Sequence, residues 1–150
     1  MGLKIGTYRI HNDPVTGESG PQILLTNKTG GVTSKGYLVE MSTTTAMAFS
    51  TIAQGQPDII GVIYEAGIAD GSACWVWVVN AICEVYFIGD VSYEDFARNS
   101  EAGDGGAAGQ AFAEVAPTSP FATDKHFMEI GHVVEERTGA GLCRTLLHFN

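Results

Sequence analysis

The stretch Cys74-Trp75-Val76-Trp77-Val78-Val79-Asn80-Ala81-Ile82-Cys83-Glu84-Val85-Tyr86-Phe87-Ile88 constrains the fold more than any other part of this chain. Its Val, Ile, Trp and Tyr side chains suit a pleated surface and predict strand rather than helix. The pair Asn80-Ala81 interrupts the pattern, so the strand is expected to kink or break there. Apolarity on successive rather than alternate residues means that both faces are covered, which places the strand centrally in its sheet. The longest apolar part, residues 73–79, is far shorter than the ~20 residues that cross a bilayer, and no membrane partner is expected.

The rest of the chain is shorter strands separated by turns. Glycine and proline number 19 and 5 in 150 residues, which favours tight turns over long helices. Strands are predicted at residues 23–26, 37–41, 46–52 and 59–65, where Gly61 marks a bulge or a close backbone approach. A further short strand is expected at 111–115, ended by Pro117-Thr118-Ser119-Pro120, and residues 93–98 fit either a helical turn or a strand. Residues 126–136 and 142–149 read as a hairpin around Thr138-Gly139-Ala140-Gly141. No segment sustains a helical period. The expected fold is all-β: a compact β-barrel or β-sandwich domain over residues 22–150, preceded by an extended N-terminal arm over residues 1–21. The arm is inferred from the turn formers between His11 and Pro21, and its removal is expected to cost the core little.

Eight Lys and Arg against 17 Asp and Glu give a net charge of −9, the wrong sign for a nucleic-acid partner. Nothing near Met1 has the apolar core of a secretory signal, so synthesis in a host cytoplasm is expected and the sequon Asn27-Lys28-Thr29 has no route to glycosylation. Cys74, Cys83 and Cys143 lie in apolar settings and read as small buried hydrophobes, not nucleophiles. Gly103-x-Gly105-x-x-Ala108 has the form of a dinucleotide loop but lacks the helix that would hold a pyrophosphate, and Glu101 and Asp104 would repel one; a mobile loop tolerant of Asp104→Ala is expected. Asp13, Glu18, Asp58, Glu65 and Asp70 fall in turns, where carboxylates are solvated. On an extended strand Glu129 would point away from His126 and His132, with His148 in the adjoining strand able to approach one of them; no metal site is expected. The sequence therefore predicts no catalytic residue, no cofactor and no metal.

The run Ile60-Gly61-Val62-Ile63-Tyr64-Glu65-Ala66-Gly67-Ile68-Ala69-Asp70-Gly71, followed by Val76-Trp77-Val78-Val79-Asn80-Ala81-Ile82-Cys83-Glu84-Val85, resembles the capsid decoration, or cement, proteins of tailed phages. His126-Phe127-Met128-Glu129-Ile130-Gly131-His132-Val133-Val134-Glu135 and the closing Leu146-Leu147-His148-Phe149-Asn150 add to the likeness, as does Lys35-Gly36 before a strand; it spans residues 30–150. The resemblance implies a β-rich virion protein on the outer face of an icosahedral head, often trimeric, binding the major capsid protein and stabilising contacts between its subunits. It implies no enzyme activity. Two alternatives stay open: another virion part, such as a head fibre base or a tail protein, and a small-ligand-binding β-barrel with a sizeable apolar cavity or a hydrolase with a site assembled from distant residues. Self-association as a homotrimer is also expected from Trp75, Trp77, Tyr86, Phe87 and Phe149, more large aromatics than one small barrel encloses.

Overall fold

The computed structural model describes residues 2–115 and 123–149. Eleven strands follow in order: β1 (Tyr8–Asn12), β2 (Ser19–Asn27), β3 (Leu38–Met41), β4 (Ala48–Thr51), β5 (Gly61–Ile63), β6 (Ala73–Trp77), β7 (Ile82–Phe87), β8 (Phe96–Asn99), β9 (Ala111–Glu114), β10 (Glu129–Val133) and β11 (Gly141–Leu147). One helical turn, α1 (Thr123–His126), precedes β10. The expected all-β class is what the chain adopts. No helix among the described residues is long and apolar enough to cross a membrane.

The strand pairings close two circuits. In the first, β2 pairs β4, β4 pairs β3, β3 pairs β5, β5 pairs β6, and β6 returns to β2. In the second, β7 pairs β9, β9 pairs β8, β8 pairs β10, β10 pairs β11, and β11 returns to β7. Both circuits visit their strands in the same cyclic order, first–third–second–fourth–fifth. In both, the first and third strands are parallel and every other pair is antiparallel. The chain thus builds the same five-stranded ring twice.

The two rings meet along β2. Its residues 22–26 pair with β6, and Ser19 pairs with Ile82 at the start of β7. Residues 74–88 are thus two strands in two rings rather than one long strand, and the break falls where expected: Val78 to Ala81 make a turn, with Asn80 at φ 75°. Each ring has its own interior. Leu25, Val39, Phe49, Ile63, Cys74 and Val76, from all five strands of the first ring, make the smaller core. Cys83, Val85, Phe87, Ala97, Ala111, Ile130, Cys143 and Leu147 fill the second, and this core continues under Leu38, Val62 and Trp77 of the first. Gly61 sits at that junction, where a Cβ would lie 2.2 Å from the Trp77 carbonyl oxygen; it marks the close approach that the sequence suggested.

Several expectations are corrected. Of residues 93–98, for which a helical turn and a strand both stood open, Phe96–Arg98 are strand, the start of β8, and Tyr93-Glu94 form a turn. His126 lies on α1, outside β10. The boundary drawn between residues 21 and 22 falls inside β2, and residues 8–12 of the supposed arm are a strand paired to it. Trp75 and Tyr86 are half-buried within the chain: the Arg9 guanidinium lies 3.8 Å over the Trp75 ring, and Tyr37 packs against Tyr86. The proline-rich stop at 117–120 and the terminal Asn150 lie outside the described residues.

Candidate functional site

Closing both rings leaves one strand with a free edge. Among the described strands, β1 alone has a single partner, β2. Its register fixes which groups are free. Leu24 N–H donates to the Thr7 carbonyl and Asp13 N–H to that of Glu18, so odd-numbered residues bond β2 while the backbone groups of Tyr8, Ile10 and Asn12 point outward. The same residues hold the outer face: Tyr8 is 60% and Ile10 65% exposed. Leu3, Ile5 and Met47 are exposed nearby, and a Cβ on Gly6 would touch Met47. An open edge with apolar side chains is a template for strand addition.

The inner face of β1 is anchored. Arg9 Nε donates to Gln22 Oε1 at 2.8 Å, and His11 packs edge-on against Tyr64. Tyr64 donates its hydroxyl to Asp13 Oδ2 at 2.7 Å. Burial first, and the Asp13 carboxylate second, push the Tyr64 phenol up to about 12. The Tyr64 hydroxyl in turn holds Asp13 below the ordinary carboxylate range. Glu18, expected to be solvated, is buried: Lys35 Nζ donates to its Oε1 at 2.6 Å and the Glu84 N–H to its Oε2 at 3.0 Å. The supposed arm is therefore wired into both rings.

A second cluster lies on the outer face of the second ring. Glu129 is only 6% exposed beneath three imidazoles. His126 Nδ1 lies 3.0 Å from its Oε2; His132 Nδ1 and His148 Nε2 lie 3.6 and 3.3 Å from its Oε1. The two histidine nitrogens are 2.5 Å apart. Strand alternation was expected to separate Glu129 from the histidines. The register against β8 shows why it does not: Glu129 pairs Arg98 and Gly131 pairs Ala97, so Ile130 is an extra residue, a bulge. Inserting one residue puts positions three apart on the same face. Gly131 completes the geometry, since a Cβ there would lie 2.0 Å from the Leu146 carbonyl oxygen, and its absence lets β11 carry His148 close.

The remaining candidates take structural roles. Cys74, Cys83 and Cys143 are free and buried. Burial pushes the Cys74 thiol up to about 12, that of Cys143 up to about 11, and that of Cys83 well above its ordinary value. Asn27 of the sequon is buried and donates to the carbonyls of Gly31 and Ile68. Asp70 accepts from the Gly30 N–H, while Asp58 and Glu65 are exposed as expected. In the glycine-rich loop a three-residue 3-10 turn, Ala102–Asp104, opens the motif, and strand β9 rather than a helix follows its glycines. That loop is not free of structural duty. Asp104 takes two hydrogen bonds, at 2.8 and 3.2 Å, from Arg98, which is buried and also donates to Glu114 at 2.7 Å. The signal that could have found this is a lone arginine in the strand Phe96-Ala97-Arg98-Asn99. A cavity of about 310 Å³ is lined by residues 29–34 with Tyr37, Thr51, Ile63 and Ala108, none of them charged.

No family model matches the chain, and no curated protein matches it. Among solved structures it is similar to the N base of head fibre gp8.5 of bacteriophage phi29, with a TM-score of 0.57 and 16% identity over 85% of this chain and 92% of that one. The two chains share a fold.

Proposed function

We propose that this chain is a structural protein of a tailed-phage virion that docks on the outer surface of the icosahedral head through β1. The free edge of β1, with Tyr8 and Ile10 exposed on its outer face, is the observation that carries the reading. A segment of the major capsid protein adds to that edge as a strand: backbone groups of Tyr8, Ile10 and Asn12 supply affinity, and the two apolar side chains supply register. The fold shared with a phage head fibre base supports a place on the virion. The net charge of −9 suits the outside of a head better than its DNA-filled interior. The chain works without catalysis, as a cement between capsid subunits, in assemblies of three copies.

The solved structure favours a second reading, the base of a head fibre, which uses the same docking edge but carries a projecting element instead of sealing subunit contacts. Particles with and without the protein separate the two. Heads that lose thermal stability when stripped indicate a cement; heads equally stable without it indicate a fibre base. The docking surface is tested by Tyr8→Ser with Ile10→Asp. Both side chains are exposed, so the variant should melt within about 0.5 kcal/mol of the parent yet disappear from purified heads. Normal occupancy of that variant on heads removes β1 as the docking edge.

A further inference from the structure

We propose that Glu129, His132 and His148 form a binding site for a divalent transition-metal ion of the zinc class. The ligand atoms are Glu129 Oε1, His132 Nδ1 and His148 Nε2, and the described residues add no fourth ligand to the group. The three atoms lie within 4.8 Å of one another. Metal–nitrogen and metal–oxygen bonds of about 2.0–2.2 Å in a tetrahedron place neighbouring ligand atoms roughly 3.3–3.6 Å apart. The carboxylate-to-histidine separations of 3.6 and 3.3 Å already match. The histidine pair, at 2.5 Å, is the edge that must open, by somewhat under an ångström. Both rings can make that movement, because His132 and His148 side chains are 56% and 39% exposed.

The donor set selects the ion. Two imidazoles and one carboxylate suit zinc, cobalt, nickel or copper, whereas calcium and magnesium prefer shells of oxygen. Their support is also present. His126 Nδ1 lies 3.0 Å from Glu129 Oε2, the oxygen that faces away from the site, and so fixes the carboxylate plane. The backbone N–H of His148 donates to the Ile130 carbonyl at 2.8 Å, tying the strand that carries the third ligand to the bulge that supplies the first. A chain of ordinary alternation would put Glu129 on the opposite face from His132, so the inserted residue at Ile130 is what assembles the triad. Two surface imidazoles and a buried carboxylate aimed at one point, with no fourth ligand among the described residues, are the arrangement of a three-ligand zinc site. The fourth position takes water, or a side chain of whatever the second ring contacts.

This inference is independent of the docking reading, and its test uses the isolated chain without heads. The protein is stripped with a chelator, dialysed, and titrated with zinc by calorimetry and with cobalt by visible absorption. One equivalent of each should bind, cobalt should give the intense bands of tetrahedral coordination, and zinc should raise the melting temperature in a concentration-dependent way. Calcium and magnesium should do neither. His132→Ala and His148→Ala, both at exposed positions, should each abolish the cobalt bands, and Glu129→Gln should do so with both histidines retained. His126→Ala should keep the stoichiometry and weaken affinity by about 10–100-fold, as expected of a positioning residue behind a ligand. Absence of stoichiometric binding by the stripped parent overturns the proposal. So does cobalt binding that survives the His132→Ala/His148→Ala double variant, since the ion would then sit elsewhere.

Discussion

The two rings share one connectivity but read differently in sequence, and the difference follows from what each side of a strand faces. In the first ring, neighbouring residues of one strand enter different cores. Val39, Ile63 and Val76 point into the ring, while Leu38, Val62 and Trp77 point into the core shared with the second ring. Strands buried on both faces are apolar without a break, as in Ile59-Ile60-Gly61-Val62-Ile63. The second ring has one core. On β7 the buried Cys83, Val85 and Phe87 alternate with the partly exposed Ile82, Glu84 and Tyr86, and β11 alternates likewise. Identical pairing order therefore yields two hydropathy patterns, and the pattern reports the neighbourhood of a strand rather than its place in the topology.

The most severe way to break this comparison is at the shared core. Trp77 is fully buried and belongs to the core that passes from one ring to the other. Trp77→Ala should cost about 3–5 kcal/mol and lower the melting of both rings together. Trp75, two residues away on the outer face under Arg9, should cost only about 1 kcal/mol when truncated. Hydrogen exchange resolved by residue checks the pair: accelerated exchange confined to the first ring in Trp77→Ala would mean that the cores are separate.

The second prediction concerns the polar link between the rings. Glu18, at the start of the first ring, accepts from Lys35 and from the Glu84 backbone of the second. Glu18→Gln keeps the shape and removes the charge-assisted bond, for an expected loss of about 1.5–3 kcal/mol. Replacing residues 1–20 altogether should therefore unfold the protein, in contrast to the small effect expected from an arm, whereas removing only residues 1–6 should leave the melting temperature nearly unchanged. Chemical denaturation of the three chains decides it.

A smaller effect than that of Glu18 is expected in the second ring's own loop, and it depends on pH. Burial pushes the Asp104 carboxyl up, but the hydrogen bonds from Arg98 and from the Glu101 N–H outweigh it and hold the group below the ordinary carboxylate range. A carboxyl depressed in the folded state contributes its stability in full above the unfolded value of about 3.9 and loses it as pH falls through the folded one. Asp104→Asn should thus destabilise by about 1–2 kcal/mol at pH 7 and converge on the parent in strong acid. Equal melting of the two proteins at pH 7 would return Asp104 to the role of a dispensable loop residue.

How far the site could be foreseen varies by residue. The buried cysteines and the interruption at Asn80-Ala81 were legible because apolar context and strand punctuation are local properties. The histidine cluster was not, since alternation gives the wrong face for Glu129 and nothing in Met128-Glu129-Ile130-Gly131 announces an inserted residue. Strand β1 was hidden among turn formers: its half-exposed Tyr8-Arg9-Ile10-His11-Asn12 lacks the apolar density of the other strands, and its inner side is held by Arg9 and His11 rather than by aliphatic packing.

The sequence by itself determined that the chain is all-β, where most strands lie, and that Trp77 and the three cysteines are inside. Those properties depend on side-chain period and composition over a few residues. Only the tertiary structure decided that the strands close twice in the same order, that Glu18 and Arg98 are buried with partners, and that Glu129 meets His132 and His148. The reason is the same in each case. Hydrogen-bond partners and register are chosen between segments distant in the chain, and a single extra residue, Ile130 against β8, turns a side chain to the opposite face without leaving a mark in the hydropathy pattern.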